Sequence, residues 1–274
     1  MTKDNDLRQR PIGVFDSGVG GLTVVSEITR LLPGEHLVYF GDVGRTPYGG
    51  RSKETIIDFV RQDINFLLEH KVKFIVAACN SASAVALDVI GDEYDIDLLG
   101  VIRPGAKAAE EQTRNNRVGI IGTVATIGSN SYAREIEARD DRIKVFSLAC
   151  PLFVPLVEEG YIDKTATALI AEDYLKTLKD VDIDTLVLGC THYPLLKKVI
   201  AGVMGETVTL IDSAEETARE LAAQLSLKDL MRPSTDNVTH KFYVSDVPDR
   251  FSQLVQRFMG KNIANVTRVD ITRY

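Results

Sequence analysis

Two stretches decide the fold, FIVAACNS at residues 74–81 and TLVLGCTH at residues 185–192. Each is a short apolar run that reaches a cysteine and then turns polar, and the second follows the first by 111 residues. Working outward, IGVFDS (12–17) is echoed by VGIIGT (118–123), and VYF (38–40) by KVF (144–146), both displaced by 106 residues. One such match between apolar runs means little. Three in the same order at nearly one offset indicate two similar βαβ halves.

Between the runs lie helical patterns, so the expected class is α/β with mainly parallel strands flanked by helices, in two similar lobes. The expected strands are Ile12–Phe15, Leu37–Phe40, Phe74–Ala78, Leu98–Ile102, Val118–Ile121, Lys144–Leu148, Thr185–Leu188, Val208–Ile211 and Lys241–Val244. Ser52–His70 reads as a helix with Ile56, Val60, Ile64 and Leu67/Leu68 on its apolar face. A second helix is expected to start at Ser213, where S-x-x-E lets Glu216 complete a capping box. Residues 232–237 read as a surface loop. The expected division is one lobe from residues 11–100 and 213–274 and a second from 101–212, with the crossover near residue 100. Ligands of open α/β sheets sit beyond the C-terminal strand ends. Cys79 and Cys190 both fall there, on opposite sides of one expected cleft.

Composition narrows the function classes. The 274 residues are 45% hydrophobic and 26% charged, an ordinary globular balance. A net charge of −7 disfavours a general nucleic-acid binder. No apolar run is long enough to span a membrane, and the polar start MTKDNDLRQR lacks a signal-peptide core, so neither a membrane partner nor export is expected. Three scattered cysteines do not make a disulfide framework, and a reducing, cytoplasmic setting is expected.

Cys79 and Cys190 are each followed by polar residues, Asn80-Ser81 and Thr191-His192, where a core strand would continue apolar. Such residues supply N–H and side-chain donors for a carboxylate, and a helix N-terminus after the cysteine would favour its thiolate. A lone cysteine reads as a small buried hydrophobe, and the pairing is what argues for function. Cys150, between apolar residues and before Pro151, has no polar partner and reads as structural. The loop DSGVGGLTV (16–24) fits neither a Walker A nor a G-x-G-x-x-G pattern, and its glycines serve a turn as readily as a ligand. Asp16 and Ser17 would still point into the cleft. In YFGDVGRTPYGGRS (39–52), Tyr48 is either a surface ring or a binding residue, and Asp42 a turn cap or a site acid. His36, His70 and His240 read as solvated, whereas His192 can orient or protonate beside Cys190. Glu158 stays a candidate of the second half. No C-x-x-C or ligand cluster suggests a metal.

Together PIGVFDSGVGGLTV, YFGDVGRTPYG, AACNSASA, GTVATI, CPLFVPLVEEG, LGCTHYPLL and DSAEETA resemble the glutamate racemases over nearly the whole chain. The pairing of CNSAS with GCTHYPLL is the most specific part. The resemblance implies a two-lobed α/β homodimer with a buried site between lobes, no cofactor, L- and D-glutamate as substrate, and a role in supplying D-glutamate to the bacterial cell wall. It implies that Cys79 takes the Cα proton of D-glutamate and Cys190 that of L-glutamate, each reprotonating the opposite product; thiols, with an unperturbed pKa of about 8.5, can exchange the roles of acid and base. Asp16 and His192 would assist them, with Glu158 and Asp42 as further candidates. Asp16, Ser17, Tyr48, Gly49, Asn80, Ser81, Thr126, Thr191 and His192 would hold the substrate's charged ends. Competing readings are a thiol hydrolase using Cys190 with His192 alone, a two-lobed binding protein, and an aspartate racemase.

Overall fold

The computed structural model describes residues 7–260, 263 and 265–274. The first part of the chain runs through β1 (Ile12–Asp16), α1 (Leu22–Leu31), β2 (Leu37–Gly41), α2 (Lys53–Glu69), β3 (Phe74–Ala77), α3 (Asn80–Val85), α4 (Leu87–Ile90) and β4 (Leu98–Gly100). The second runs through α5 (Ile102–Gln112), β5 (Arg117–Gly122), α6 (Val124–Gly128), α7 (Ser131–Glu137), β6 (Lys144–Ala149), α8 (Phe153–Glu158), α9 (Thr165–Asp180), β7 (Thr185–Gly189), α10 (Lys197–Met204) and β8 (Thr209–Asp212). The chain closes with α11 (Ser213–Leu227), β9 (His240–Val244), α12 (Pro248–Met259) and β10 (Val266–Arg268).

The strands form two sheets, ordered β10-β9-β2-β1-β3-β4 and β6-β5-β7-β8, and every pairing is parallel. The echo in the sequence is therefore an echo in topology: β2-β1-β3-β4 matches β6-β5-β7-β8 strand for strand. Register repeats as well, since Ile12 pairs with Phe74 and Val118 with Thr185. Helices on both faces of a parallel sheet leave the central strands no wet side. Accordingly β1, β2, β3 and β7 are buried at every residue, whereas edge strand β6 is not.

One apolar cluster runs from Ile12, Val14 and Val76 of the first sheet through Leu221 and Leu225 of α11 to Ile120, Leu186 and Leu188 of the second. The other lies beneath α2, around Phe15, Phe40, Phe66 and Ile75. Helix α2 starts where Ser52 Oγ accepts the Thr55 N–H, and it buries Ile56, Val60, Ile64 and Leu67. Leu68, expected on that face, is instead exposed at 36%. Its buried face carries one charged residue, Asp63.

Several expectations need correction. The strand at Leu98 stops at Gly100, because Ile102 already begins α5. The cap of α11 is Asp212, whose Oδ1 accepts the Ala214 N–H at 3.0 Å. Ser213 is the first helical residue and donates its hydroxyl to the Leu188 carbonyl at 3.1 Å, so the S-x-x-E box does not form. His36, His70 and His240 are half-buried; His70 lies 4.7 Å from the rings of both Phe66 and Tyr243. Strand β10 is three residues long and carries no apolar periodicity that could announce it.

Candidate active site

Parallel strands all deliver their C-terminal ends to the same edge of a sheet, and here those edges meet. Asp16 closes β1, Asp42 follows β2, Cys79 lies two residues past β3, Thr123 follows β5 and Cys190 follows β7. A small cavity of about 30 Å³ lies between them, and both Cys79 and Cys190 line it. Ser17, Tyr48, Gly49, Asn80, Ser81, Thr191 and His192 line it too. Asp16 is buried outside the lining, and Glu158 sits behind His192. A second and much larger cleft, about 810 Å³, lies beside Leu98–Gly100 and α5. Its Arg103 faces Asp88 at 3.7 Å and Glu135 at 3.4 Å, and it is lined by no thiol or imidazole among the described residues.

The two thiols have different company. Cys79 caps α3: its Sγ accepts the Ala82 N–H at 3.5 Å and donates to Ser17 Oγ at 3.4 Å. Burial, with the Asp16 carboxylate adding to it, pushes this thiol up to about 12, against the thiolate that a helix start was expected to favour. A six-residue helix offering one distant N–H does not offset that desolvation. Asp16 Oδ2 accepts the Gly18 N–H at 2.9 Å, and burial raises its own pKa.

Cys190 is not followed by an α-helix. The next residues enter a 3-10 turn at Tyr193–Leu196, which places the His192 ring against the sulfur. His192 Nδ1 lies 3.9 Å from Cys190 Sγ, and Nε2 lies 3.0 Å from Glu158 Oε1. Burial alone would strip the ring of its proton. Cys190 and Glu158 outweigh it and hold the pKa up to about 10, so the ring is an imidazolium at neutral pH. Cys150 is buried away from the cavity, 3.9 Å from the Leu148 carbonyl.

Neutral hydrogen bonds hold the walls. Tyr132 donates to Asn80 Oδ1 at 2.8 Å, and among the described residues the buried Asn80 Nδ2 has no hydrogen-bond partner. Thr123 Oγ1 lies 2.9 Å from Ser81 Oγ and 3.1 Å from Thr126 Oγ1. Thr123, not the expected Thr126, reaches the cavity, and Thr126 supports it from behind. Tyr48 is a fully buried ring whose hydroxyl contacts both Asp42 and, at 3.0 Å, Asp63. Arg45 joins the same two carboxylates at 2.6 and 3.2 Å. Asp42 therefore braces Tyr48 and does not itself line the cavity.

Sequence reading missed Thr123, Tyr132 and the Arg45–Asp63 brace. The repeat carried a signal for the first, because Thr123 stands 106 residues after Ser17, at the same strand end. Among the described residues no group of three or more His, Cys, Asp and Glu side chains is disposed to hold a metal ion.

The Asp/Glu/Hydantoin racemase family model matches residues 24–221. A glutamate racemase of Geobacter metallireducens is 48% identical over 262 residues, covering 96% of this chain and 97% of its own. The chain belongs to the glutamate racemase family. A glutamate racemase isoform from Bacillus anthracis superposes with a TM-score of 0.93 at 43% identity, over 96% of this chain and 98% of that one. The Francisella tularensis glutamate racemase, solved in complex with D-glutamate, gives 0.92 at 38% identity over 97% and 100%. The fold that glutamate racemases share is thus the fold described above, two parallel sheets meeting at their C-terminal edges. No helix among the described residues is long and apolar enough to cross a membrane.

Proposed function

We propose that the protein interconverts L- and D-glutamate by moving the Cα proton between Cys79 and Cys190. One observation carries this reading: both cysteines line a single cavity, one from each sheet. Inverting a stereocentre needs a base on one face of the carbon and an acid on the other, and a cleft between two facing strand edges offers both. From L-glutamate, Cys190 as thiolate takes the proton and the Cys79 thiol donates from the opposite face; from D-glutamate the roles exchange. His192, charged and tied to Glu158, supplies positive charge beside Cys190. Asp16 serves the Cys79 side and draws the substrate ammonium. Both substrate carboxylates need donors in a site that excludes water, and Asn80 Nδ2 is a buried donor left free for one. Ser17, Ser81, Thr123 and Thr191 complete the set, with Tyr48 and Gly49 as wall.

The wider reading rests on the same family. The product D-glutamate would serve peptidoglycan synthesis in the cytoplasm, and the working form would be a homodimer. The division into residues 11–100 with 213–274, against 101–212, is supported by β9 and β10 joining the first sheet.

The decisive experiment runs the reaction in deuterated water with purified protein and no added cofactor. Either glutamate enantiomer should be inverted, and the enantiomer formed should carry deuterium at Cα. Inversion without solvent label overturns the proton-transfer mechanism. Faster turnover of aspartate than of glutamate overturns the substrate assignment.

A further inference from the structure

The imidazole of His192 is held from outside its own half. Helix α12 follows β9 and precedes β10, both strands of the first sheet, and packs on α1. Its Phe251 ring sits 5.9 Å from Tyr39 of β2. From that base the helix reaches the second half at two adjacent residues. The Phe258 ring, buried, stands perpendicular to the His192 ring, with centroids 5.3 Å apart and an interplanar angle of 88°. Arg257 Nη1 donates to the Val157 carbonyl at 3.1 Å and to the carbonyl of Glu158 itself. Behind it, the guanidinium lies so close to Gly160 that a Cβ there would come within 2.8 Å of Nη2.

We propose that Arg257 and Phe258 are positioning residues for the Cys190 side of the site. Arg257 fixes the backbone that carries Glu158, and Phe258 fixes the ring that Glu158 and Cys190 share. The proton carrier of the second sheet is complete only while a helix anchored to the first sheet is docked against it. The hydrogen bonds of Cys79 itself, to Ser17 and Ala82, come from its own half. This inference rests on the two-thiol reading above, with Cys190 acting on L-glutamate.

Two enantiomers have equal free energy, so kcat/KM must be the same in both directions for any variant. The side of the lesion shows instead in isotope effects. Arg257→Gln, at an exposed position, and Phe258→Leu, which keeps an apolar side chain, should each lower kcat/KM roughly ten- to a hundredfold, the loss typical of a misplaced reacting group. With the Cys190 step slowed, the primary isotope effect on kcat/KM should rise for L-glutamate deuterated at Cα and fall toward unity for D-glutamate deuterated there. Arg257→Lys should recover part of the rate. Isotope effects that move equally in both directions, move in the opposite sense, or stay as in the unsubstituted enzyme overturn the proposal, as does an unchanged rate. Should Phe258→Leu fail to fold by thermal melt, Arg257→Gln gives the same readout alone. Failure of the two-thiol reading is seen separately, as inversion by the unsubstituted enzyme without uptake of deuterium from solvent, and it would take this proposal with it.

Discussion

The two halves of the cavity share a scaffold and differ in chemistry. At matching strand ends the first half has Asp16-Ser17 where the second has Gly122-Thr123. After the paired cysteines the first has Asn80-Ser81 where the second has Thr191-His192. The ionisable residue next to each cysteine, Asp16 or His192, thus comes from a different place in the repeat. Beside Cys79 stands a carboxylate, and that thiol is pushed up to about 12, first by burial and then by Asp16. Beside Cys190 stands an imidazolium. Burial and the Asp16 carboxylate therefore favour a neutral Cys79 thiol. The repeat brings one cysteine from each half to a single cavity, and the residues that differ between the halves give the two thiols different surroundings.

Removing either sulfur should break the comparison outright. Cys79→Ala and Cys190→Ala should each reduce racemisation by at least about 10³-fold, the range of a lost general acid or base. Cys150→Ala should stay within about twofold of the parent rate, because that sulfur lies outside the cavity. Activity surviving in Cys79→Ala would favour a single-cysteine mechanism with His192. The helpers sharpen the contrast. Asp16→Asn and His192→Asn should each cost about 10²-fold in kcat/KM, equal in both directions. Their primary isotope effects should be mirror images: raised for D-glutamate with Asp16→Asn, raised for L-glutamate with His192→Asn. The same pattern from both variants would mean that the two groups serve one thiol.

A smaller effect should come from crowding one half against the other. A Cβ at Gly20 would meet Thr191 Oγ1 at 2.2 Å and the His192 ring at 2.6 Å. Gly20→Ala should therefore push His192 off Cys190 and lower kcat/KM by about tenfold or more. Gly128→Ala, with nothing within 4 Å of its Cβ, should be silent in the same assay.

How much of this was legible in sequence follows from which forces are local. The positions of most strands and the Cys79/Cys190 pairing were readable because a parallel strand covered on both faces writes itself as an unbroken apolar run, and the repeat wrote it twice. The braces were not readable. Asp63 sits on the apolar face of α2 and looks like an error in the pattern until Arg45 and Tyr48 arrive from another loop. Tyr132 belongs to α7 and meets Asn80 across the sheets, 52 residues away in sequence. The thiol environment was misread for the same reason. The helix start after Cys79 is local and visible, while the desolvation that outweighs it comes from the whole fold.

A last comparison separates the halves by pH. His192 has its pKa raised to about 10 in the fold, against about 6.5 for the free side chain. A raised pKa means that the folded state holds a proton the unfolded chain has already released. The stabilisation is therefore complete below about pH 6.5, declines as pH rises, and is gone above about 10. Cys79 follows the same sign in a later window, because its neutral thiol is favoured by burial: its contribution is complete below about 8.5 and lost as pH rises to about 12. Each group can contribute a slope of at most about 1.4 kcal/mol per pH unit inside its own window. Urea midpoints measured across alkaline pH, and compared with those of His192→Asn and Cys79→Ala, isolate the two. The first substitution should flatten the fall between about 6.5 and 10 and the second the fall above about 8.5. If both variants lose stability with the parent's full slope throughout, neither half-site holds its proton in the way its surroundings require.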